Sequence, residues 1–234
     1  MSANDLPTRR EERSRAFVSF VLFCKTAWIG INLGFFLLLL PGCQPNKEVQ
    51  ALLEPSQALG EVLAEEAVRL AGANRSITLI THDNSWGPPS TAEQALRAAL
   101  KKQNATLDFV KAANLGNPML SGEVALKAAD FFEAMEKSAK AGAVISLVGA
   151  PQLNEGDAAR LTSPHPPVLV VATASLGDKM GVHTDPVQLA SLLEAKLIQL
   201  AIIDGNDPTT QATAKPDPHR ALFAQHYRIL RSAE

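Results

Sequence analysis

The polar side chains best spaced for chemistry fall where short aliphatic runs give way to loops. His82-Asp83-Asn84-Ser85-Trp86 follows the run Ser76–Thr81. There His82 and Asp83 offer polar contacts, Asn84 and Ser85 offer hydrogen bonds, and Trp86 offers a face for stacking on a sugar or ring. Gly149 follows a second aliphatic run and permits close backbone approach. Thr173 and Ser175 follow a third, and Asp204 a fourth. In an open parallel sheet, ligands bind beyond the C-terminal ends of the strands. On that rule His82, Asp83, Asn84, Trp86, Gly149, Thr173, Ser175 and Asp204 form the candidate ligand-binding set. Asp83 and Asp204 also raise a catalytic alternative, because two strand-end carboxylates can act as acid and base or hold Mg²⁺.

Other chemistries lack their residues. No His-x-x-x-His pair is present for zinc, and no Gly-x-Gly-x-x-Gly or Gly-Lys-Ser/Thr loop for a nucleotide. Ser175 lacks the Gly-x-Ser-x-Gly elbow of many serine hydrolases. The two cysteines are Cys24 and Cys43, so the chain beyond Cys43 has no thiol for a disulfide, a metal or a nucleophile. No catalytic residue, cofactor or metal is therefore assigned, and the reading leans away from an enzyme. The first 42 residues carry five basic and three acidic groups. That leaves 17 basic and 21 acidic groups beyond them. A mildly acidic body offers no electrostatic footprint for nucleic acid.

Those candidate residues need a framework, and it comes in two parts. The first is the N-terminus. Arg9, Arg10, Arg13 and Arg15 precede an apolar run from Ala16 to Leu40, broken mainly by Lys25, Thr26 and Asn32. A run of this length can cross a bilayer, and flanking arginines stay on the cytoplasmic side. It ends in Leu40-Pro41-Gly42-Cys43. Leu40, Gly42 and Cys43 resemble the lipobox of bacterial lipoproteins, while Pro41 departs from the small or β-branched residue usual there. The resemblance implies diacylglycerol on Cys43, cleavage before it, and palmitate-type acyl chains that hold the body to a membrane. An uncleaved signal anchor is the alternative. Residues 44–54 are polar and read as a short tether.

The second part is an α/β alternation over residues 55–234. Helical spacing of apolar residues covers Ser56–Ala71, Thr91–Gln103, Glu123–Lys140, Glu155–Leu161 and Pro186–Lys196. Between them, aliphatic strands read at Ser76–Thr81, Ala105–Val110, Ala143–Val148, Pro167–Ala172 and Leu197–Ile203. Near-continuous aliphatic strands separated by helices indicate a parallel sheet covered on both faces. The expected fold is a three-layer, doubly wound α/β sandwich with a mainly parallel five-stranded sheet. Ala221–Ile229 fits a final helix or a final strand equally well.

Two stretches resemble one lobe of the type 1 periplasmic sugar-binding proteins. They are Lys140-Ala141-Gly142-Ala143-Val144-Ile145-Ser146-Leu147-Val148-Gly149-Ala150-Pro151 and Pro166-Pro167-Val168-Leu169-Val170-Val171. The resemblance is one of cadence over residues 76–175, and the chain has room for one lobe where that family has two. It implies an envelope location and the binding of a small polar solute. A partner protein of the envelope and a purely structural interaction role stand beside it.

Overall fold

The structure is a computed structural model that describes residues 47–83, 87–115, 124–161, 164–206 and 217–233. Cys43, Asn84, Ser85 and Trp86 lie outside the described residues, as does the apolar run Ala16–Leu40. Among the described residues no helix is long and apolar enough to cross a membrane.

The first helix, α1, spans Lys47–Ala71 and so begins well before the expected Ser56. Leu59, Val62, Leu63 and Ala67 recur on one face and are buried against the core. Gly72, at φ +60°, ends the helix, its N–H bonding to the Val68 carbonyl. Residues 47–54, expected as a loop-like tether, are its first two turns and are almost wholly exposed. Pro55 follows them inside the helix and lacks the N–H that would bond back to the preceding turn.

Strand β1 (Ser76–His82) then leads to α2 (Thr91–Lys102) and β2 (Thr106–Ala113). The Ser90 hydroxyl caps α2 by accepting from the Glu93 N–H at 3.2 Å. Strand β3 (Leu126–Lys127), helix α3 (Ala128–Lys137), strand β4 (Ala143–Ser146), strand β5 (Pro151–Gln152) and helix α4 (Glu155–Arg160) follow. Strand β6 (Val168–Ala172), helix α5 (Pro186–Glu194), strand β7 (Leu200–Asp204), helix α6 (Pro218–His226) and strand β8 (Tyr227–Arg231) complete the order. Asp185 caps α5, with Pro186 at the first helical position, where its missing N–H costs nothing.

The main sheet has six strands in the order β2-β1-β4-β6-β7-β8, and β3 pairs separately with β5. The first five are parallel, as expected. The sixth, β8, is antiparallel to β7 and raises the expected count of five. The ambiguous C-terminal stretch thus holds both elements in succession. Side chains alternate across the sheet. Leu79, Ile145, Val171 and Ile202 face α1, α2 and α6. Ile80, Val144, Val170 and Ala201 face α3 and α5. The result is the three-layer α/β sandwich read from the alternation.

Candidate functional site

The chain winds from β1 outward to β2, then crosses back to β4 and onward through β6 and β7. The direction reverses between β1 and β4, and a doubly wound sheet opens its ligand crevice there, beyond the strands' C-terminal ends. His82 closes β1 at this point. It is half-buried, and its Nε2 is buried with no hydrogen-bond partner among the described residues. Burial pushes the ring below its ordinary value, and nearby Lys179 adds to the effect against an opposing pull from Glu93. Asp83 follows and is exposed.

The crevice is occupied by the chain itself. The loop between β6 and α5 leaves the end of β6, passes over the end of β4 and reaches the start of α2. There one Asp178 carboxylate oxygen accepts from the Thr91 N–H at 2.7 Å and from the Thr91 hydroxyl at 2.9 Å. Partial burial works against ionisation of Asp178, but these two bonds, together with its own backbone N–H and nearby Lys179, outweigh it and hold the carboxyl below its usual range. Ala92 N–H bonds to the Leu176 carbonyl, and buried Leu176 pins the loop. A helix N-terminus favours negative charge, and here that charge is internal.

This loop explains most of the remaining candidates. Gly149 does permit a close approach, but the approaching atoms belong to the chain. A Cβ there would lie 2.9 Å from Val182 Cγ1 and 3.0 Å from Thr184 Oγ1. The Thr184 hydroxyl accepts from the Ala150 N–H at 3.0 Å. Thr173 is buried and donates to the Ser175 carbonyl, and the Ser175 hydroxyl accepts from the Gly177 N–H. Asp204 accepts from the Ala174 N–H at 2.7 Å. Thr173, Ser175 and Asp204 therefore brace one loop. Their polar groups are engaged in the loop's own hydrogen bonds, while Lys179 of the same loop lies near His82.

The strand order also separates the two carboxylates. Asp83 follows β1 and Asp204 ends β7, with β4 and β6 between them. Three strand spacings place them about 14 Å apart. Ligand oxygens must lie about 2.0–2.6 Å from a shared divalent cation, so the pair cannot hold one ion.

The open space lies to one side. A cavity of about 460 Å³ runs between α5 and the β7–β8 edge. Its floor is apolar, with Ala172, Leu189, Ile203 and Leu230. At the C-terminal edge of the sheet His183, Thr184, Asp204 and Arg228 line it, and Glu194 and Arg231 line the opposite end. Arg231 is already paired with Glu66 of α1 at 3.0 Å. Among the earlier candidates that lie in the described residues, Asp204 is the one that borders this cavity. Sequence spacing gave no signal for Asp178 or Arg228, because both depend on elements meeting across the sheet.

No family model matches the chain, and no curated protein matches it. Among solved structures, it is similar to the crystal structure of a periplasmic ribose ABC transporter from Conexibacter woesei. The identity is 12%, the TM-score 0.38, and the match covers 62% of this chain and 45% of that one. The chain thus spans less than half the length of that protein.

Proposed function

We propose that this chain is an envelope lipoprotein, held to a membrane by acyl chains on Cys43, whose single α/β body binds a small solute without catalysis. The observation that carries the binding reading is the cavity beside α5. Small-molecule sites commonly have volumes of about 300–1,000 Å³, mostly apolar walls and a few polar groups that fix orientation. The cavity has that size and an apolar floor, with Thr184, Asp204 and Arg228 at one end. It suits a solute with one hydrogen-bonding or charged edge and an apolar remainder. A partner protein is the competing occupant of the same surface. The anchor reading is supported by the basic stretch, the apolar run and the Leu40-Pro41-Gly42-Cys43 sequence that ends it.

Two measurements test the two halves. The wild type and Cys43→Ala are expressed in a bacterium that processes lipoproteins, then compared by intact mass and membrane partitioning. Loss of the first 42 residues with added acyl mass, abolished in the variant, is expected. Full-length mass with unchanged membrane retention in both would replace the lipid with a membrane-spanning anchor. For binding, NMR shifts are followed during titration with monosaccharides, amino acids and short carboxylates. Changes clustered at Thr184, Asp204 and Arg228 are expected for at least one probe class. Changes elsewhere, or none with any class, would remove the solute reading.

A further inference from the structure

Five large apolar side chains are exposed among the described residues: Val49, Leu52, Val110, Met180 and Val187. Four of them lie at one end of the body. Met180 sits in the loop that leaves the C-terminal end of β6, and Val187 lies in the first turn of α5, which that loop enters. Helix α1 joins the start of β1 through residues 72–75, so it runs opposite to the strands. Its N-terminal turns therefore stand at the C-terminal edge of the sheet. Two contacts fix that level. Ser56 lies against Gly177 of the β6–α5 loop, and it hydrogen-bonds with the hydroxyl of Tyr227, which pairs with the last residue of β7.

The turns before Ser56 project beyond this edge. Val49 and Leu52 stand three residues apart on one face of α1, with Leu53 beside them. Leu52 is 77% exposed and Val49 48%, while Met180 is 84% and Val187 75%. Apolar residues on the same helix are fully covered about two to three turns after Leu52, at Leu59 and Leu63. The overhang carries the apolar face of α1 past the body that would cover it.

We propose that this edge of the body rests on the lipid bilayer, with Val49, Leu52, Met180 and Val187 entering the boundary between headgroups and acyl chains. The proposal depends on the membrane-tethering reading and adds a fixed orientation to it. Covalent reach is the argument for a bilayer over a protein. An extended residue spans at most about 3.6 Å, so a lipid on Cys43 keeps Lys47 within about 14 Å of its membrane. With an uncleaved span ending at Leu40, the limit is about 25 Å. Either way the bilayer is held at high effective concentration beside the four exposed side chains. The charges at this edge are mixed. Lys47, Lys179 and Arg228 stand among Glu48, Glu54, Asp83, Asp178, Asp185 and Asp204, so acidic groups outnumber basic ones. Apolar contact, with no net attraction to anionic headgroups, therefore carries the docking, and it is insensitive to salt.

The full lipid-anchored chain is reconstituted into phosphatidylcholine vesicles in a Cys24→Ser background, with Cys43 blocked by its own lipid. Leu52→Cys, Met180→Cys and Val187→Cys are each labelled with a nitrobenzoxadiazole fluorophore. Ala139→Cys, exposed at the opposite edge just beyond α3, is the control. The first three probes are expected to emit at shorter wavelength than the control. Nitroxide lipids labelled near the headgroup are expected to quench them, equally at low and high salt. Protein that sediments with vesicles while all four probes report water would overturn the apposition and leave the tether standing. A blue shift without quenching by nitroxide lipids would assign the edge to a protein and overturn the proposal. Failure to sediment would overturn the tethering reading, and the proposal with it.

Discussion

His82 ends β1 with a buried Nε2 that has no hydrogen-bond partner among the described residues, and its burial makes protonation unfavourable in the folded chain. The unfolded chain protonates the same ring near pH 6.5. Below that pH the unfolded state binds more protons, so stability falls as pH drops through the ordinary histidine value. The loss levels off once pH passes below the depressed folded value. NMR titration of the ring should therefore give a midpoint below 6.5, and His82→Leu should flatten this part of the stability profile. A midpoint at or above 6.5 would show that the ring is solvated or paired with a carboxylate. The sequence identified His82 as a strand-end polar residue, and the structure puts it there. What it could not convey was the neighbour across the sheet. Lys179 lies almost a hundred residues on, and its approach depends on a loop whose own course is set by Asp178 meeting Thr91.

At the level of elements, local signals were readable and meetings between elements were not. Gly72, Ser90 and Asp185-Pro186 mark their helix ends by backbone chemistry that acts within four residues, and each end is where that chemistry places it. The start of α1 is poorly marked because charged and amide residues stand among Val49, Leu52 and Leu53, which continue its helical spacing. The pairing of α1 with α2 rests on Gly60, whose significance appears only in contact. A Cβ there would lie 2.3 Å from the Ala92 carbonyl oxygen and 2.7 Å from the Leu96 nitrogen, both backbone atoms. Alanine gains about 1 kcal/mol of helix propensity over glycine. The clash must outweigh this, because two helix backbones would have to part. Gly60→Ala should therefore destabilise by about 1–3 kcal/mol net in urea unfolding. Gly72→Ala is the companion, since its Cβ meets nothing within 4 Å and φ +60° supplies the only penalty. A stabilised Gly60→Ala would mean that α1 and α2 pack less closely than this.

The whole molecule decides what its carboxylates can do together. Alternation along the chain revealed five parallel strands, but the order β2-β1-β4-β6-β7-β8 is a fact of three dimensions. That order sets Asp83 and Asp204 about three strand spacings, or 14 Å, apart. Asp204 meanwhile supports the Ala174 N–H at an exposed loop. Removing it should cost about 1 kcal/mol, the usual net value of such a bond. Groups more than about 7–10 Å apart with no shared partner act additively, within about 0.5 kcal/mol. Asp83→Ala, Asp204→Ala and the double variant should therefore close a thermodynamic cycle with no coupling beyond that limit, with or without added Mg²⁺. A shared ion would behave differently. Either single substitution would then abolish its binding, Mg²⁺ would stabilise the parent alone, and the cycle would show coupling well above the limit. Additivity would show that the two aspartates share no ion, and the cavity beside α5 would remain the proposed solute site.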